Sequence, residues 1–267
     1  MDPNLHEWLN LLVRWVHVFA GILWIGATYH FTWLDRQLHL ASADGAAAQL
    51  WMVHSGGFYT VEKQKTPKLM PSKLHWFRWE AAITWMSGLL LLIVVYYFGG
   101  ALVDDTVSRI TVWQDALIGL ALLVVSWFVY DGLWLSPLGR DERVGAAVCF
   151  LLLLGTTWAL GRVYSGRAAY IHVGAMLGTI MAANVWLRIL PAQKQLVAAL
   201  QAGTAPDLML GERAKGRSRH NTFIIQPVVF IMISSHFPST YGSDHSWAIL
   251  GALTLAGWAA AKIIRDH

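Results

Sequence analysis

The chain has 267 residues, of which 56% are hydrophobic and only 13% charged, with a formal net charge of +4. A soluble domain of this length carries about twice that share of charge, so the composition excludes an ordinary soluble enzyme and predicts several crossings of a bilayer. The positive balance follows from where Lys and Arg lie between the apolar segments and calls for no nucleic-acid partner.

A span needs roughly 20 apolar residues. By that measure the chain predicts an all-α, polytopic transmembrane helical bundle of about seven spans, at residues 8–33, 76–98, 113–135, 144–161, 168–190, 222–237 and 246–263. The first carries Arg14 and His17, lacks a basic leader and has no small-residue cleavage site, so it is expected to be retained and the mature chain to begin near Met1. The next connection, Asp35 to Leu74, holds Arg36, Lys63, Lys65, Lys68 and Lys73. Within it, residues 46–62 predict an amphipathic interfacial helix broken at Gly56 and Gly57, with a hinged lid as the alternative. The connection from Arg188 to Arg219 holds Lys194, Arg213, Lys215, Arg217 and Arg219, and its segment 192–216 reads as helix interrupted at Gly203 and Pro206.

Both basic connections are expected in the cytoplasm, which puts the N-terminus in the periplasm and the C-terminus in the cytoplasm. The loops with Asp104, Asp105 and Asp244 are poor in positive charge and fit this, while Arg162 and Arg167 run against it. Trp8, Trp33, Trp76, Trp134 and Trp247 fall near span ends and suit aromatic belts.

The one cysteine, Cys149, lies in the fourth span, so the chain has no Cys-x-x-Cys-His haem attachment and no intrachain disulfide. No phosphate-binding glycine loop, His-Glu-x-x-His zinc helix or nucleophile elbow occurs. No internal repeat marks inverted transporter halves. Gly174 and Gly178, four apart, predict close helix packing.

The histidines are the unusual feature, since an ionisable side chain within a span marks a functional site by default. With the N-terminus outside, His17, His172 and His236 fall in the outer half, and His30, His75 and His220 gather near the cytoplasmic face; His54 belongs to the basic connection. Arg14, His17, Gly21, Trp24 and Thr28 share one helical stripe by their spacing of three and four. A porphyrin seated on such a stripe needs an imidazole, a residue without a side chain one turn away and a cation for a propionate, parts that His17, Gly21 and Arg14 supply. His172, which shares a face with Met176, is the expected partner ligand, with His236 as competitor. A histidine hydrogen-bonded between helices has the same spacing, so both readings stand.

The inner tier is chemically different. His75, Arg78 and Trp79 lie within one turn, Glu80 opens the second span, and Asn184 and Arg188 are four apart at the inner end of the fifth. Such a set suits a small planar anion: Arg as a fork of donors, Trp as a stacking face, Asn as donor and acceptor, His or Glu as proton acceptor. The competing reading is a structural network pairing Glu80 with Arg78 or Arg188.

Several stretches together resemble a known family. They are His6-Glu7-Trp8-Leu9-Asn10 through Arg14-Trp15-Val16-His17, Trp24-Ile25-Gly26 and Trp33-Leu34-Asp35; His54-Ser55-Gly56-Gly57-Phe58-Tyr59; His75-Trp76-Phe77-Arg78-Trp79-Glu80; the run Ile171 to Asn184; and Ser218-Arg219-His220-Asn221 to Ser235-His236-Phe237-Pro238. They are similar to the membrane domain of the PuuD-type urate hydroxylases, over nearly the whole chain. The resemblance implies oxidation of urate to 5-hydroxyisourate in the bacterial inner membrane, with electrons passed to a cytochrome c and no hydrogen peroxide formed. It assigns urate to the inner tier and the electron acceptor to the outer. The first span also resembles, over a shorter stretch, the HemJ-type protoporphyrinogen oxidases, which implies a haem b at His17.

Members of the first family commonly continue into a C-terminal cytochrome domain carrying haem c, so that group is expected on a separate chain or a missing domain. On this reading Glu80 or His75 acts as base and His220 and Asn221 are further substrate contacts. Arg78 and Asn184 hold the urate anion under Trp79, and a haem between His17 and His172 takes the electrons, with Arg14 at a propionate. A porphyrinogen oxidase and a purine permease are the alternatives.

Overall fold

The computed structural model describes residues 2–43, 49–64, 67, 71, 73–99 and 111–266. The expectations that rest on Lys65, Lys68, Asp104 and Asp105, and on residues 46–48 of the predicted interfacial helix, lie outside them. Seven long helices make up the fold among the described residues: α1 Pro3–Ala43, α2 Trp79–Tyr97, α3 Val112–Leu135, α4 Glu142–Leu160, α5 Gly166–Gln201, α6 Leu208–Ser234 and α7 Ser246–Asp266.

Six of these, all but α6, are long and apolar enough to cross a membrane. The predicted span 222–237 is the far half of α6, whose first half, from Leu208 to Asn221, is too polar to count. The helices run in alternating sense. His6 at the start of α1 bonds the Val94 carbonyl at the end of α2, whereas Arg36 and Arg265, near the ends of α1 and α7, meet each other. The bundle therefore has two ends, called here the Arg36 end and the His6 end.

α5 is the most enclosed helix, with α2, α3, α4 and α6 around it. Its buried residues, Tyr170, His172, Val173, Met176 and Ile180 among them, form the core with Leu123, Trp127, Leu153, Ile231 and Leu250. Gly174 lets α6 approach, since a Cβ there would lie 2.8 Å from Ile231 Cγ2. α1 is the opposite case: it packs chiefly on α2 and exposes Trp8, Trp15, Phe19 and Ile22. At about 1.5 Å per residue α1 is roughly twice as long as the ~30 Å hydrocarbon core, so part of it must project beyond.

Two helices contain wide turns, Leu92–Tyr97 in α2 and Asn184–Ile189 in α5. Such π turns re-aim side chains inside an otherwise regular helix and occur often at functional sites. The break between α5 and α6 follows the sequence signals. Gly203 takes φ +69° just past the end of α5. Asp207 then caps α6 by accepting from the Met209 N–H at 2.9 Å.

The interfacial helix is a correction. Gln49–His54 and Gly57–Glu62 form an antiparallel hairpin, β1 and β2, pairing Val53 with Phe58 and Trp51 with Thr60. Ser55 and Gly56 make the two-residue turn, both at positive φ (47° and 75°), as the twist of a tight hairpin requires. The glycine pair was read as a helix break, but β-branched and aromatic residues flank it on both sides, which is the strand signature. Trp134, at the end of α3, is half-buried, its ring 4.0 Å from His220 and tight against Gly145.

Candidate functional site

Among the described residues, two cavities between the helices bear on the site. The larger, about 850 Å³, opens at the Arg36 end between α1, the start of α2, α5, α6 and the last residues of α7. α1 contributes Trp24, Thr28, Phe31 and Asp35 from one stripe, with Arg36 and His39 beside it. Trp76 and Phe77 give further aromatic surface.

The cavity's charge is positive, since Arg36, Lys63, Lys215, Arg219 and Arg265 face Asp35 and Glu80. Lys63 is paired with Asp35 and Arg219 with Glu142. Arg36 and Lys215 have no acidic partner among the described residues, and Arg265 has only the neighbouring charge of Asp266. Arg36 donates one bond to the Arg265 carbonyl at 3.3 Å, and its buried Nε has no partner.

Of the residues expected there, His75, Glu80 and Asn221 line the cavity. Arg78 and Trp79 do not. Trp79 is 59% exposed, with its indole edge on Trp186, and Arg78 lies over that indole at 5.4 Å. Asn184 stands one layer back, donating to Asn221 Oδ1 at 2.9 Å and to the Tyr130 hydroxyl at 3.1 Å. Asn221 in turn donates to the Met181 carbonyl at 3.1 Å, so its orientation at the wall is fixed from behind. His220 faces the other way, its Nδ1 2.7 Å from the Tyr130 hydroxyl, because neighbouring residues on a helix point about 100° apart.

The expected pairing of Glu80 with Arg78 or Arg188 does not form. Arg188 and Arg217 share the carboxylate of Asp131 on α3, with Arg188 Nε at 2.9 Å and Arg217 Nη2 at 2.7 Å. Asp131 was passed over as an interior residue of a span, although an acid at such a depth is itself a signal. Arg36, Lys215 and Arg219 entered the sequence argument only as orientation charges. Their loops could have suggested the cavity, but not which side chains turn into it.

The second cavity, about 480 Å³, lies toward the His6 end and is walled largely by aliphatic side chains. Its polar residues include Arg14, His17, Arg167 and His236. The His17 Nδ1 lies 2.9 Å from the Thr84 carbonyl, which can only accept, so Nδ1 carries the proton and Nε2 keeps its lone pair. Gly88 makes room for that ring: a Cβ there would lie 2.9 Å from His17 Cε1. Gly21 and Gly178 also line the cavity, and a Cβ on Gly178 would meet nothing within 4 Å, so this glycine opens space where close packing was expected. Arg14 is held by Asn10 Oδ1 at 3.0 Å, and the buried Nε of Arg167 has no partner.

His172 is absent from this lining. It is fully buried beyond it, stacked on Tyr164 at 4.5 Å, with Nδ1 2.8 Å from the Ala168 carbonyl and Nε2 3.3 Å from the Tyr97 hydroxyl. Both ring nitrogens are thus engaged by protein, and the histidine that shares a cavity with His17 is His236.

Fold and site together define a class: a helical membrane bundle holding a cationic, aromatic chamber at one end and an apolar chamber with a histidine deeper in. The family model for urate oxidase, N-terminal, matches residues 3–266, and the chain belongs to that family. Membership points to urate-related oxidation. Neither the curated proteins nor the solved structures give a match.

Proposed function

We propose that this protein oxidises urate to 5-hydroxyisourate, with urate in the cationic cavity and electrons leaving through a haem b in the apolar one to a cytochrome c. The observation that carries it is the division of the interior into two cavities of opposite chemistry, one suited to a planar anion and one to a flat apolar cofactor. The cation-rich end faces the cytoplasm in this reading.

Urate at neutral pH is a planar monoanion. Arg36 and Arg265 supply charge and directed N–H donors, Trp76 and Phe77 supply flat surfaces, and Asn221 supplies a fixed amide. Glu80, half-buried in the lining and without an ion pair among the described residues, takes the proton that the purine loses. His75, exposed at the mouth, passes protons to solvent. Loss of two electrons and two protons and addition of one water at C5 balance the conversion.

The apolar cavity fits a haem by its donors. His17 offers a free Nε2 with its tautomer fixed by Thr84, the glycines at 21, 88 and 178 leave the walls flat, and Arg14 and Arg167 are placed for two carboxylates. When bound, haem supplies a one-electron acceptor. His236 would be the other histidine to hold the iron; His172, spent on Tyr97 and Ala168, would not.

The test is an absorption spectrum of the detergent-purified, haem-loaded protein. A Soret band that shifts on dithionite reduction is expected, lost in His17→Ala and weakened in Gly88→Ala, where the new methyl displaces the imidazole, but unchanged in Gly178→Ala. A protein that stays colourless after loading, or a Soret band indifferent to His17, would overturn the assignment.

A further inference from the structure

We propose that the indole of Trp24 is the bridge by which electrons cross from the cationic cavity to the apolar one, an inference that rests on the functional reading above. Trp24 alone among the described residues lines both cavities. It is the partition between them, packed against Ala81, Val185 and Leu190. His17 lies seven residues back on the same stripe of α1, two turns or about 10 Å along the axis, with Gly21 between them. Since Trp24 alone among the described residues lines both cavities, its indole is the one extended π system shared by them.

The electron balance is simple. Urate, deprotonated toward Glu80, gives up one electron, which tunnels across the indole to a one-electron acceptor of the haem class; the indole couples the two spaces and is itself never oxidised. A second passage and loss of a second proton leave the purine two electrons poorer, and water adds at C5. Nothing else is consumed, and the indole forms no lasting bond.

A bridge differs from a packing wedge or a stacking wall in what it controls. It sets the rate of electron transfer at saturating urate without setting the affinity for urate or the acceptor's spectrum. The experiment uses the haem-loaded full chain, anaerobic stopped-flow mixing with urate, and equilibrium dialysis of urate against haem-free protein. Trp24→Leu is expected to lower the limiting reduction rate about tenfold or more, with urate affinity, Soret position and dithionite reduction unchanged. Trp24→Phe and Trp24→Tyr keep a ring in the path and should retain more of the rate than Trp24→Leu. Trp24→Met, of similar reach but without a ring, should be slow, so the Phe and Met pair carries the test if the leucine variant fails to fold.

Equal limiting rates in wild type, Trp24→Leu and Trp24→Met would overturn the bridge and leave the functional reading intact. A slower rate that recovers fully at high urate would make Trp24 a substrate wall and also overturn it. If urate does not reduce the wild-type protein at all, the functional reading fails and the bridge falls with it.

Discussion

Replacing Asp131 by alanine is expected to destabilise the protein by about 3–5 kcal/mol, the cost typical of removing one partner from a buried ion pair. Two guanidiniums depend on that carboxylate. The Arg217 and Asp131 side chains are 9% and 10% exposed, while Arg188 at 41% can turn to solvent, so most of the penalty comes from Arg217. Arg217 also lies over the Tyr130 ring at 5.1 Å, and Tyr130 holds Asn184, which holds Asn221 at the cavity wall. Loss of Asp131 should therefore loosen the site as well as the fold. Asp131→Asn keeps the shape and an acceptor and should cost about 1–3 kcal/mol. Denaturant unfolding in detergent micelles, followed by tryptophan fluorescence, measures both. A loss below about 1 kcal/mol for the alanine variant, the range of exposed pairs, would show that the triad is solvated and structurally idle.

Arg36→Gln is expected to weaken urate binding by about tenfold to a hundredfold, as loss of a charge-assisted hydrogen bond worth roughly 1.5–3 kcal/mol implies. Arg36 is chosen because it lines the cavity and makes no ion pair among the described residues. Arg78→Gln is the informative control, because Arg78 rests over Trp79 outside the cavity lining and its loss should leave affinity nearly unchanged. Equilibrium dialysis of urate against each variant settles the order. Equal losses in both would return Arg78 to the binding surface.

These two arginines also show where sequence reading reaches and where it stops. Arg78 was favoured because it sits beside Trp79 and Glu80 in the chain, and proximity along a helix is visible in a sequence. Which face of α2 meets α1 is not, because it depends on the phase set by packing around Ala81 and the close approach at Gly88. The same limit separates His172 from His236. Both share the His6 end of the bundle, but only tertiary packing turns His172 toward Tyr97 and Tyr164. The apolar spans were legible, since they rest on run length. The hairpin was missed because its turn and a helix break use the same residue, glycine. The wide turn at Asn184–Ile189 has no sequence signature, although it carries Arg188 to Asp131.

The central claim is that a purine anion in one cavity delivers electrons to an acceptor in the other, and it is tested most directly by adding urate anaerobically to the oxidised, haem-loaded protein while recording its visible spectrum. The account predicts that the bands of the reduced haem appear, and that Arg36→Gln needs correspondingly more urate to produce them. A haem that stays oxidised under saturating urate, yet is reduced at once by dithionite, would contradict it.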